Sequence, residues 1–397
     1  MPIPMPIDIE RARNETPGCR NVVHFNNAGA ALVPQPVLDC MVTYLNLEAR
    51  IGGYEAAEEK EETIKHTYDA AAALIHASPE EIAVEASATR AWDMAFYSIP
   101  LNPGDRILTS MAEFASNYIA YLHRAEKTGA RIEVVPDDEY GQLSIRDLEN
   151  LLDDSVRLVS VTHIPTNGGL VNPVEDIGRV VKQSRAYYLV DACQSVGQFE
   201  LDVNRVGCHF LSTTSRKYLR GPRGAGFLYI RRDCIEELDP PFLDLFSARW
   251  TATQHYEAMK DARRFETWES NYAIKLGLGA AIDYHNTWDI QAVWSRITFL
   301  ADTLRTELGK IPGVVVRDLG KIKCGIVTFT VDGHDSEKFR NSLRAIGMNV
   351  STSSALSTRL DMERRELDCV VRASVHYFNT VEEIDRFCAA VRDLSRG

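Results

Sequence analysis

The sequence predicts an α/β protein with a large domain followed by a smaller α+β domain. Apolar runs rich in branched residues recur between residues 105 and 230 without alternating with polar positions. Helical patterns separate these runs, and this β-α alternation is typical of a layered α/β domain. After residue 290 the pattern changes to helices around a strand that does alternate.

The apolar runs are the strands predicted for the large domain. They are DRILTS (105–110), RIEVVP (131–136), RLVSVTHI (157–164), YYLVDAC (187–193), CHFLSTTS (208–215) and GAGFLYI (224–230). Because apolar residues fill consecutive positions, both faces of the sheet should be covered, as in parallel sheets. The large domain is predicted over residues 26–260.

Two helical patterns lie between these strands. SNYIAYLHRAEKTG (116–129) opens with Ser116 as a candidate N-cap and ends at Gly129. NPVEDIGRVVKQS (172–184) has Pro173 near its start, which suits a first helical turn.

The smaller domain is predicted over residues 261–397, and the N-terminal segment 1–25 is expected to pack on it. Its predicted elements are a helix over 290–309, the alternating strand GIVTFTV (325–331), a helix over 336–347 and a helix over 380–394. Thr380 and Glu383 have the spacing of a capping box at the start of the last helix.

Composition disfavours several functions. The 397-residue chain has a net charge of -12, which makes nucleic acid a poor partner. Its apolar runs are too short to span a membrane, and its N-terminus lacks the features of a secretory signal, so we expect a cytoplasmic protein. The eight cysteines are scattered without a CxxC pair, which argues against a metal site and a disulfide framework.

Common catalytic motifs are missing from the sequence. It contains no GxxxxGK[ST], HExxH or GxSxG pattern. GPRGAG (221–226) is rich in glycine, but it precedes a strand instead of opening a helix, which disfavours a dinucleotide site.

A lysine and an aspartate follow two of the predicted strands. Lys217 comes after CHFLSTTS, and Asp191 ends the strand within YYLVDAC. A lysine that attacks a carbonyl needs a lowered pKa, which burial or a cationic neighbour such as Arg216 supplies. Acids at the carboxyl ends of buried strands face the ligand crevice of α/β sheets, although a surface lysine and a helix-capping aspartate are the alternatives.

Four motifs in order give the chain a family resemblance. They are VDACQSVGQ (190–198), STTSRK (212–217), GPRGAGFLYI (221–230) and VRASVHYFNTVEEIDRF (371–387). Together they resemble class V aminotransferase-fold enzymes that use pyridoxal 5'-phosphate (PLP), a group with cysteine desulfurases, isopenicillin N epimerase-like proteins and C–S lyases. The resemblance implies fold type I, with a mainly parallel seven-stranded sheet in the large domain and a smaller α+β domain.

The resemblance implies a PLP site around the lysine. Lys217 would bind PLP as a Schiff base, and Asp191 would pair with the pyridine nitrogen. Gln194 would bind near the ring hydroxyl, assisted by Thr166 or Asn167. The family usually has Ser-Asn at those two positions, so which of them contributes stays open.

The phosphate of PLP is expected at the start of the helix in ASATRAWDMAF (86–96). The amides of Ala88 and Thr89 and the Thr89 hydroxyl are the natural donors, because a helix N-terminus offers free N–H groups. Thr89 could instead be a simple N-cap, and the two roles are compatible. By resemblance, Thr214 and Arg216 complete this phosphate site.

Two further positions match family residues with defined roles. Phe114 stands where a histidine often stacks on the cofactor ring; it can stack, but it cannot transfer a proton, and core packing is the alternative. Arg372 matches the arginine that binds the substrate carboxylate through its planar fork, with a surface arginine as the alternative.

Three weaker candidates complete the expected substrate site. Ala28 lies in FNNAGAALVP, where the resemblance begins, and Tyr54 in IGGYEAAEE could face the substrate. Trp268 and Glu269 in RRFETWESN stand where many relatives have Gly-Thr. Trp268 would line the partner subunit's pocket or lie in the interface core. The resemblance implies a homodimer with shared active sites.

The reaction expected from these residues is C–S β-lyase cleavage of an S-substituted cysteine or its sulfoxide. Cysteine desulfurases need a nucleophilic cysteine on the loop before the arginine strand, and Leu356 stands at that position here. The alternatives are an amino-acid epimerase or racemase with Tyr54 or His376 as the second acid/base, an aminotransferase, and a decarboxylating oxidative deaminase. A non-catalytic protein that keeps the fold is a further alternative, against which Lys217, Asp191 and Arg372 argue.

Overall fold

A computed structural model describes residues 7–396 of the chain. Residues 1–6 of the predicted N-terminal segment and Gly397 lie outside the described residues. The strands are β1 (Val23–His24), β2 (Ile82–Glu85), β3 (Arg106–Thr109), β4 (Arg131–Val134), β5 (Val156–Thr162), β6 (Tyr187–Asp191), β7 (Phe210–Thr214), β8 (Gly226–Ile230), β9 (Ala248–Ala252), β10 (His255–Ala258), β11 (Val314–Val316), β12 (Ile326–Val331), β13 (Met348–Asn349), β14 (Ser351–Ser354) and β15 (Cys369–Ser374).

The α-helices alternate with these strands along the chain. They are α1 (Ile9–Asn14), α2 (Gln35–Ile51), α3 (Gly53–Glu59), α4 (Glu61–Leu74), α5 (Ala88–Ser98), α6 (Ala115–Thr128), α7 (Ile145–Leu151), α8 (Val174–Val181), α9 (Val203–Val206), α10 (Tyr272–Asn286), α11 (Ile290–Gly309), α12 (Ser336–Ala345), α13 (Arg359–Arg364) and α14 (Val381–Leu394). Short 3-10 helices cover Pro17–Arg20, Pro79–Glu81, Arg232–Cys234 and Ala262–Phe265.

A seven-stranded sheet forms the centre of the large domain, with strand order β2-β8-β7-β6-β5-β3-β4. Only β8 runs against its neighbours, and the pairs from β7 to β4 are all parallel. This confirms the predicted mainly parallel sheet. Strand β2 was not predicted, because its four residues lie between polar segments and give no periodic signal.

Alternate residues of each central strand belong to two different apolar cores. In β6, Leu189 packs in the core that contains Trp92 and Phe96 of α5, whereas Tyr188 and Val190 pack in the core on the opposite face. Because successive side chains of a strand point to opposite faces, a strand covered on both sides must be apolar at every position. This is why the apolar runs in the sequence did not alternate.

The second sheet is fully antiparallel and has the order β11-β12-β15-β14. The helix predicted over 290–309 is α11, with the same bounds, and α11 packs against α14. The capping box at Thr380 and Glu383 is present. One predicted cap is wrong: α6 begins at Ala115 with Phe114 as its N-cap, so Ser116 already lies in the first turn.

The N-terminal segment lies against this second sheet and its helices. Strand β1 pairs in parallel with β13, Val23 opposite Met348, and the rings of Phe25 and Phe387 meet edge to face at 5.2 Å. Helix α10 packs instead against α2 and α4. The domain boundaries predicted at residues 25 and 260 stay predictions.

A buried arginine joins the N-terminal segment to the loop that carries Lys217. Arg220 donates from Nη2 to Thr16 Oγ1 at 2.5 Å and from Nε to the Leu32 carbonyl at 3.0 Å. Its Nη1 donates to the Tyr377 hydroxyl at 2.7 Å, and its own backbone N–H donates to the Lys217 carbonyl at 3.0 Å. These bonds hold three distant parts of the chain together.

A pair of buried carboxyl groups lies at the edge of the large sheet. Glu266 accepts bonds from the Tyr68 hydroxyl, the Val84 amide and Lys275 Nζ at 2.9, 2.9 and 3.1 Å. Glu85, at the end of β2, is buried, and within the described chain its Oε1 has no hydrogen-bond partner. Burial, with the charge of Glu266 next, raises the pKa of Glu85 to about 8.

We expect Glu85 to make stability fall as pH rises. The folded chain keeps this proton up to about pH 8, whereas an exposed carboxyl loses it near 4.5. The folded state thus binds more protons between these pH values, and unfolding becomes easier as pH rises through them. Glu85→Gln cannot ionise, so its advantage over the wild type should grow by roughly 1 kcal/mol per pH unit in this window.

The measurement is urea unfolding at pH 5, 6.5 and 8 at one protein concentration. Glu80→Gln is the matched control, because Glu80 is exposed. Parallel pH profiles for Glu85→Gln and wild type would contradict the prediction.

Candidate active site

The polar side chains predicted from the sequence meet at the carboxyl edge of the large sheet. Asp191 is the last residue of β6, lies opposite Thr162 of β5 and pairs with Ser212 of β7. Because parallel strands end at the same edge, residues that follow each strand are brought together there. The backbone N–H of Ala192, which follows β6, donates a hydrogen bond to the Ser212 carbonyl of β7 at 2.9 Å.

Asp191 is held by two donors and is only 6% exposed. Its Oδ1 accepts the backbone N–H of Cys193 at 2.9 Å, and its Oδ2 accepts Asn117 Nδ2 at 3.2 Å. Neither donor carries a full charge. The side chain can therefore pair with a cationic partner such as a protonated ring nitrogen.

Lys217 follows β7 in a tight loop close to Asp191. Removal from water lowers the pKa of its amine, and Arg216 and Arg372 lower it further, while Cys193 and Asp191 act in the opposite direction. A lowered pKa supplies the neutral amine that attacks a carbonyl. The environment of Lys217 is thus that of a reactive lysine.

Gly197 allows the lysine loop to lie this close to the loop after β6. Its φ is +92°, and a Cβ at this position would lie 2.4 Å from the carbonyl carbon of Tyr218. Both facts require glycine, since any side chain would strain the backbone and overlap the residue that follows Lys217.

The N-terminus of α5 lies beside the end of β8. Ser87 is its N-cap and accepts the Arg90 amide at 3.1 Å, so Thr89 is not the cap but an exposed residue of the first turn. In the described structure the amides of Ala88 and Thr89 have no hydrogen-bond partner, as expected for a first turn. They are available for an anion.

Close packing brings this helix end to the strand that precedes Lys217. A Cβ on Gly226 would lie 2.3 Å from the Thr213 carbonyl oxygen and 3.1 Å from the Ala88 nitrogen. Thr214 is buried at the end of β7, and Arg216 donates to the Gly29 carbonyl. The end of β7 thus lies close to the first turn of α5 across Gly226, and the phosphate roles of Thr214 and Arg216 stay predictions.

Arg372 lies on β15 and reaches the same edge. Its Nη1 donates to the carbonyl oxygen of Thr166 at 3.0 Å and to its hydroxyl. Burial lowers its pKa to about 10, and its buried Nε has no partner in the described part of the chain. A carboxylate would satisfy this open side of the guanidinium.

Of the other residues predicted to bind the cofactor, Gln194 keeps a free acceptor, whereas Asn167 is bonded to another side chain. Gln194 donates from Nε2 to the Ala28 carbonyl at 3.1 Å, and no described residue bonds to its buried Oε1. Asn167 donates to Asp361 at 2.5 Å instead. Phe114 is partly buried at the start of α6. The contact of Thr166 or Asn167 with the cofactor stays a prediction.

Two predicted substrate residues lie on the protein surface. Tyr54, on α3, is 80% exposed, and Trp268 is 51% exposed with its backbone N–H bonded to Asp244 at 2.7 Å. Within the single chain, neither side chain is buried beside the residues around Lys217.

Sequence reasoning missed Glu113 and Asn117. Glu113 follows β3 at the same sheet edge and is 3% exposed, and Asn117 lies four residues later on α6. The spacing of a carboxyl after a strand and an amide one helical turn later was the available signal.

Metal and membrane features do not appear in residues 7–396. No group of three or more His, Cys, Asp or Glu side chains there could hold a metal ion. Within the same range, no helix combines the length and apolarity needed to cross a membrane.

The chain belongs to the aminotransferase class-V family, whose profile matches residues 23–387. It is 30% identical over 392 residues to a probable cysteine desulfurase of Methanothermobacter thermautotrophicus, covering 97% of this chain and 98% of that protein. It is also 30% identical over 399 residues to a probable cysteine desulfurase of Xylella fastidiosa, covering 97% and 95%.

Two solved structures show the same architecture. The apo cysteine desulfurase from Thermococcus onnurineus NA1 has a TM-score of 0.92 at 25% identity and covers 99% of each chain. The cystine C–S lyase C-DES, in complex with its product cysteine persulfide, has a TM-score of 0.86 at 25% identity and covers 95% of this chain and 99% of its own. The protein is a fold type I enzyme whose cofactor is PLP.

The residues at the sheet edge fit PLP. The free amides of α5 suit its phosphate, Asp191 suits a protonated ring nitrogen, and the amine of Lys217 suits its aldehyde. The unpartnered Oε1 of Gln194 lies buried in the same region. These groups supply each kind of contact that PLP requires.

Lys217→Ala should abolish covalent attachment of PLP. Borohydride reduction of the wild type, digestion and mass spectrometry should find the cofactor on the peptide containing residue 217, and the variant should carry none. Lys182→Ala, at an exposed lysine, is the control and should label like wild type. Attachment at any other lysine would show that the assignment is wrong.

Proposed function

We propose that this enzyme is a C–S β-lyase that cleaves an S-substituted cysteine or its sulfoxide without a catalytic cysteine. For the thioether, one water is consumed and the products are a thiol, pyruvate and ammonia. The C–S bond breaks with its electron pair on sulfur, and the Cα proton is removed by the enzyme. No oxidant or sulfur acceptor is needed.

The observation that carries the proposal is the residue on the loop before β15. Leu356 occupies this loop and is 79% exposed. Backbone bonds hold the loop: Ser357 N–H donates to the Ser354 carbonyl at 2.9 Å, and the Ser357 carbonyl accepts Ala115 N–H at 2.9 Å. A leucine in this place has no nucleophilic atom to accept sulfur.

The cysteines elsewhere do not replace it. Burial is the first cause that raises the pKa of each thiol, namely Cys19, Cys40, Cys193, Cys208, Cys234, Cys324, Cys369 and Cys388. The thiolate is the nucleophilic form, and a raised pKa removes it at neutral pH. The pKa of Cys193, the thiol closest in sequence to Asp191, is raised strongly by burial first and by the neighbouring Asp191 next.

The chain's own residues account for the steps of a β-elimination. PLP, when bound, withdraws electrons from the Cα of an amino acid and so makes loss of its proton feasible. Arg372 binds the substrate carboxylate, and Asp191 holds its charge against the ring nitrogen. Lys217, with its lowered pKa, takes the Cα proton as a general base.

Comparisons support a cysteine-type substrate. The relatives at 30% identity are named probable cysteine desulfurases, and C-DES is named a cystine C–S lyase. Both names describe cleavage at the sulfur of cysteine or cystine. The cytoplasmic location stays a prediction.

The structure gives little support to the epimerase alternative. His376 Nε2 lies 2.9 Å from the Tyr218 carbonyl oxygen, and its Nδ1 accepts the Tyr377 amide at 2.9 Å, so both ring nitrogens are occupied. Burial also lowers the pKa of His376 well below its usual value. Tyr54 is exposed. An aminotransferase or a decarboxylating oxidative deaminase would use the same Lys217, Asp191 and Arg372.

Purified enzyme should release pyruvate from S-substituted cysteines. A panel of S-alkyl cysteines, their sulfoxides and cystine is assayed with lactate dehydrogenase, and thiol release is followed in parallel. Equal rates of pyruvate and thiol formation are expected for the S-alkyl cysteines, whereas the sulfoxides should release a sulfenic acid and cystine a cysteine persulfide together with pyruvate. Lys217→Ala should lose at least about a thousandfold in kcat/KM. Inverted substrate without pyruvate would select the epimerase.

Removal of thiols tests the absence of a catalytic cysteine. Cys369→Ser and Cys193→Ser should each keep pyruvate release within about threefold of wild type, since neither thiol takes part. Loss of sulfur release in either variant, with persulfide trapped on the wild-type protein, would favour a desulfurase.

A homodimer with shared sites is also proposed. Large apolar side chains are exposed between residues 242 and 268 in the single chain: Phe242, Leu245, Trp250, Tyr256 and Trp268. Such a concentration is typical of a surface that another protein covers. The Arg90 guanidinium stacks 4.5 Å from the Phe242 ring, which links this surface to the first turn of α5.

Mixed dimers can show whether Trp268 serves the partner's site. Chains with Lys217→Ala and chains with Trp268→Ala, each impaired alone, are mixed, dissociated and reassociated. If Trp268 acts across the interface, one site in each mixed dimer is intact and activity should rise to about a quarter of wild type. No gain on mixing, with dimers present by sedimentation, would place Trp268 in its own chain's site or in the interface core.

A further inference from the structure

Glu113 is a buried carboxyl group surrounded by hydrogen-bond donors. Its Oε2 accepts the hydroxyls of Thr109 at 2.8 Å and Tyr121 at 3.3 Å. Its Oε1 accepts the Phe114 amide at 2.8 Å and the Thr162 hydroxyl. These donors come from β3, β5 and α6, and all of them are neutral.

Asn117 connects this carboxyl group to Asp191. Its Nδ2 donates to Glu113 Oε1 at 3.0 Å and to Asp191 Oδ2 at 3.2 Å. An amide nitrogen carries two protons, so one goes to each carboxylate and the side chain has a single orientation. Without the first acceptor, Asn117 could rotate away from Asp191.

The same carboxylate also sets the start of α6. Its bond to the Phe114 amide satisfies an N–H at the N-cap position, where helix donors otherwise lack partners. Glu113 therefore fixes the residue predicted to stack on the ring and, through Asn117, the residue predicted to pair with the ring nitrogen.

We propose that Glu113 is a positioning residue for PLP, which orients Asp191 through Asn117 and anchors Phe114 beside the ring. Glu113 suits this position because its two oxygens accept several bonds at once. The proposal rests on the predicted role of Asp191, and it does not depend on which reaction the enzyme performs.

The test uses reversible PLP binding in the Lys217→Ala background, measured by quenching of tryptophan fluorescence. Asp191→Ala is the reference, and Glu113→Leu and Asn117→Leu should each raise the Kd for PLP about tenfold, the size of one charge-assisted hydrogen bond. The double variant should be no weaker than the worse single one, since both changes break one chain of contacts.

Two further variants separate positioning from folding. Glu113→Gln keeps an acceptor for Asn117 and should restore most of the affinity lost in Glu113→Leu. Glu126→Gln, at an exposed position of α6, should bind like the background. In the enzyme with Lys217, Glu113→Leu should shift the absorption band of bound PLP and its pH profile, which a change of stability alone would not do.

The outcomes are distinct. A Kd within twofold of the background for Glu113→Leu, or additive effects in the double variant, would overturn the proposal. An unchanged Kd for Asp191→Ala would overturn the assignment of Asp191 and this proposal together, while leaving pyruvate release as the separate test of the reaction.

Discussion

A buried guanidinium without a carboxylate partner holds this fold together. The side chain of Arg220 is bonded to neutral oxygens of Thr16, Leu32 and Tyr377, and it lies 4.5 Å from the ring of Phe378. A buried charge is tolerated only when its donors are satisfied. The N-terminal part of the chain and the region after β15 must therefore assemble around the lysine loop, because they supply the oxygens that bind the Arg220 guanidinium.

The candidate active site is likewise held by contacts between separate parts of the chain. Lys217 and Asp191 follow neighbouring parallel strands, so the sheet sets their separation, and the loops after them pack against each other at Gly197. Burial then lowers the pKa of the lysine, while the aspartate keeps neutral donors. The loop that Arg220 anchors is also the loop that carries Lys217, the lysine predicted to bind PLP.

Much of the fold could be predicted because its signals are local. The apolar runs predicted β3 to β8, and the bounds of α11 and the capping box at Thr380 follow from side-chain pattern alone. Features that depend on tertiary contacts were not predicted from the sequence. Strand β2 has no periodic signal, and α6 begins at Ala115, so Ser116 lies in its first turn instead of capping it.

The candidate site shows the same difference between residues marked by local signals and residues placed by tertiary contacts. Lys217, Asp191 and Arg372 were predicted from strand ends and family motifs; the structure places them near one another, and their roles stay predictions. Glu113 was missed, since the spacing to Asn117 is a weak signal and its burial depends on contacts from three elements.

Under the proposed function, the loop around Leu356 would determine the reaction while contributing little to the stability of the core. Backbone bonds from the loop to Ala115 and Ser354 are independent of which side chain occupies position 356, and that side chain lies in the open. We therefore expect exchange of the leucine for a thiol or a charge there to have little effect on the core. Under the proposed function, a single substitution at this loop would change the reaction, while the residues predicted to hold PLP remain constrained by packing at the sheet edge.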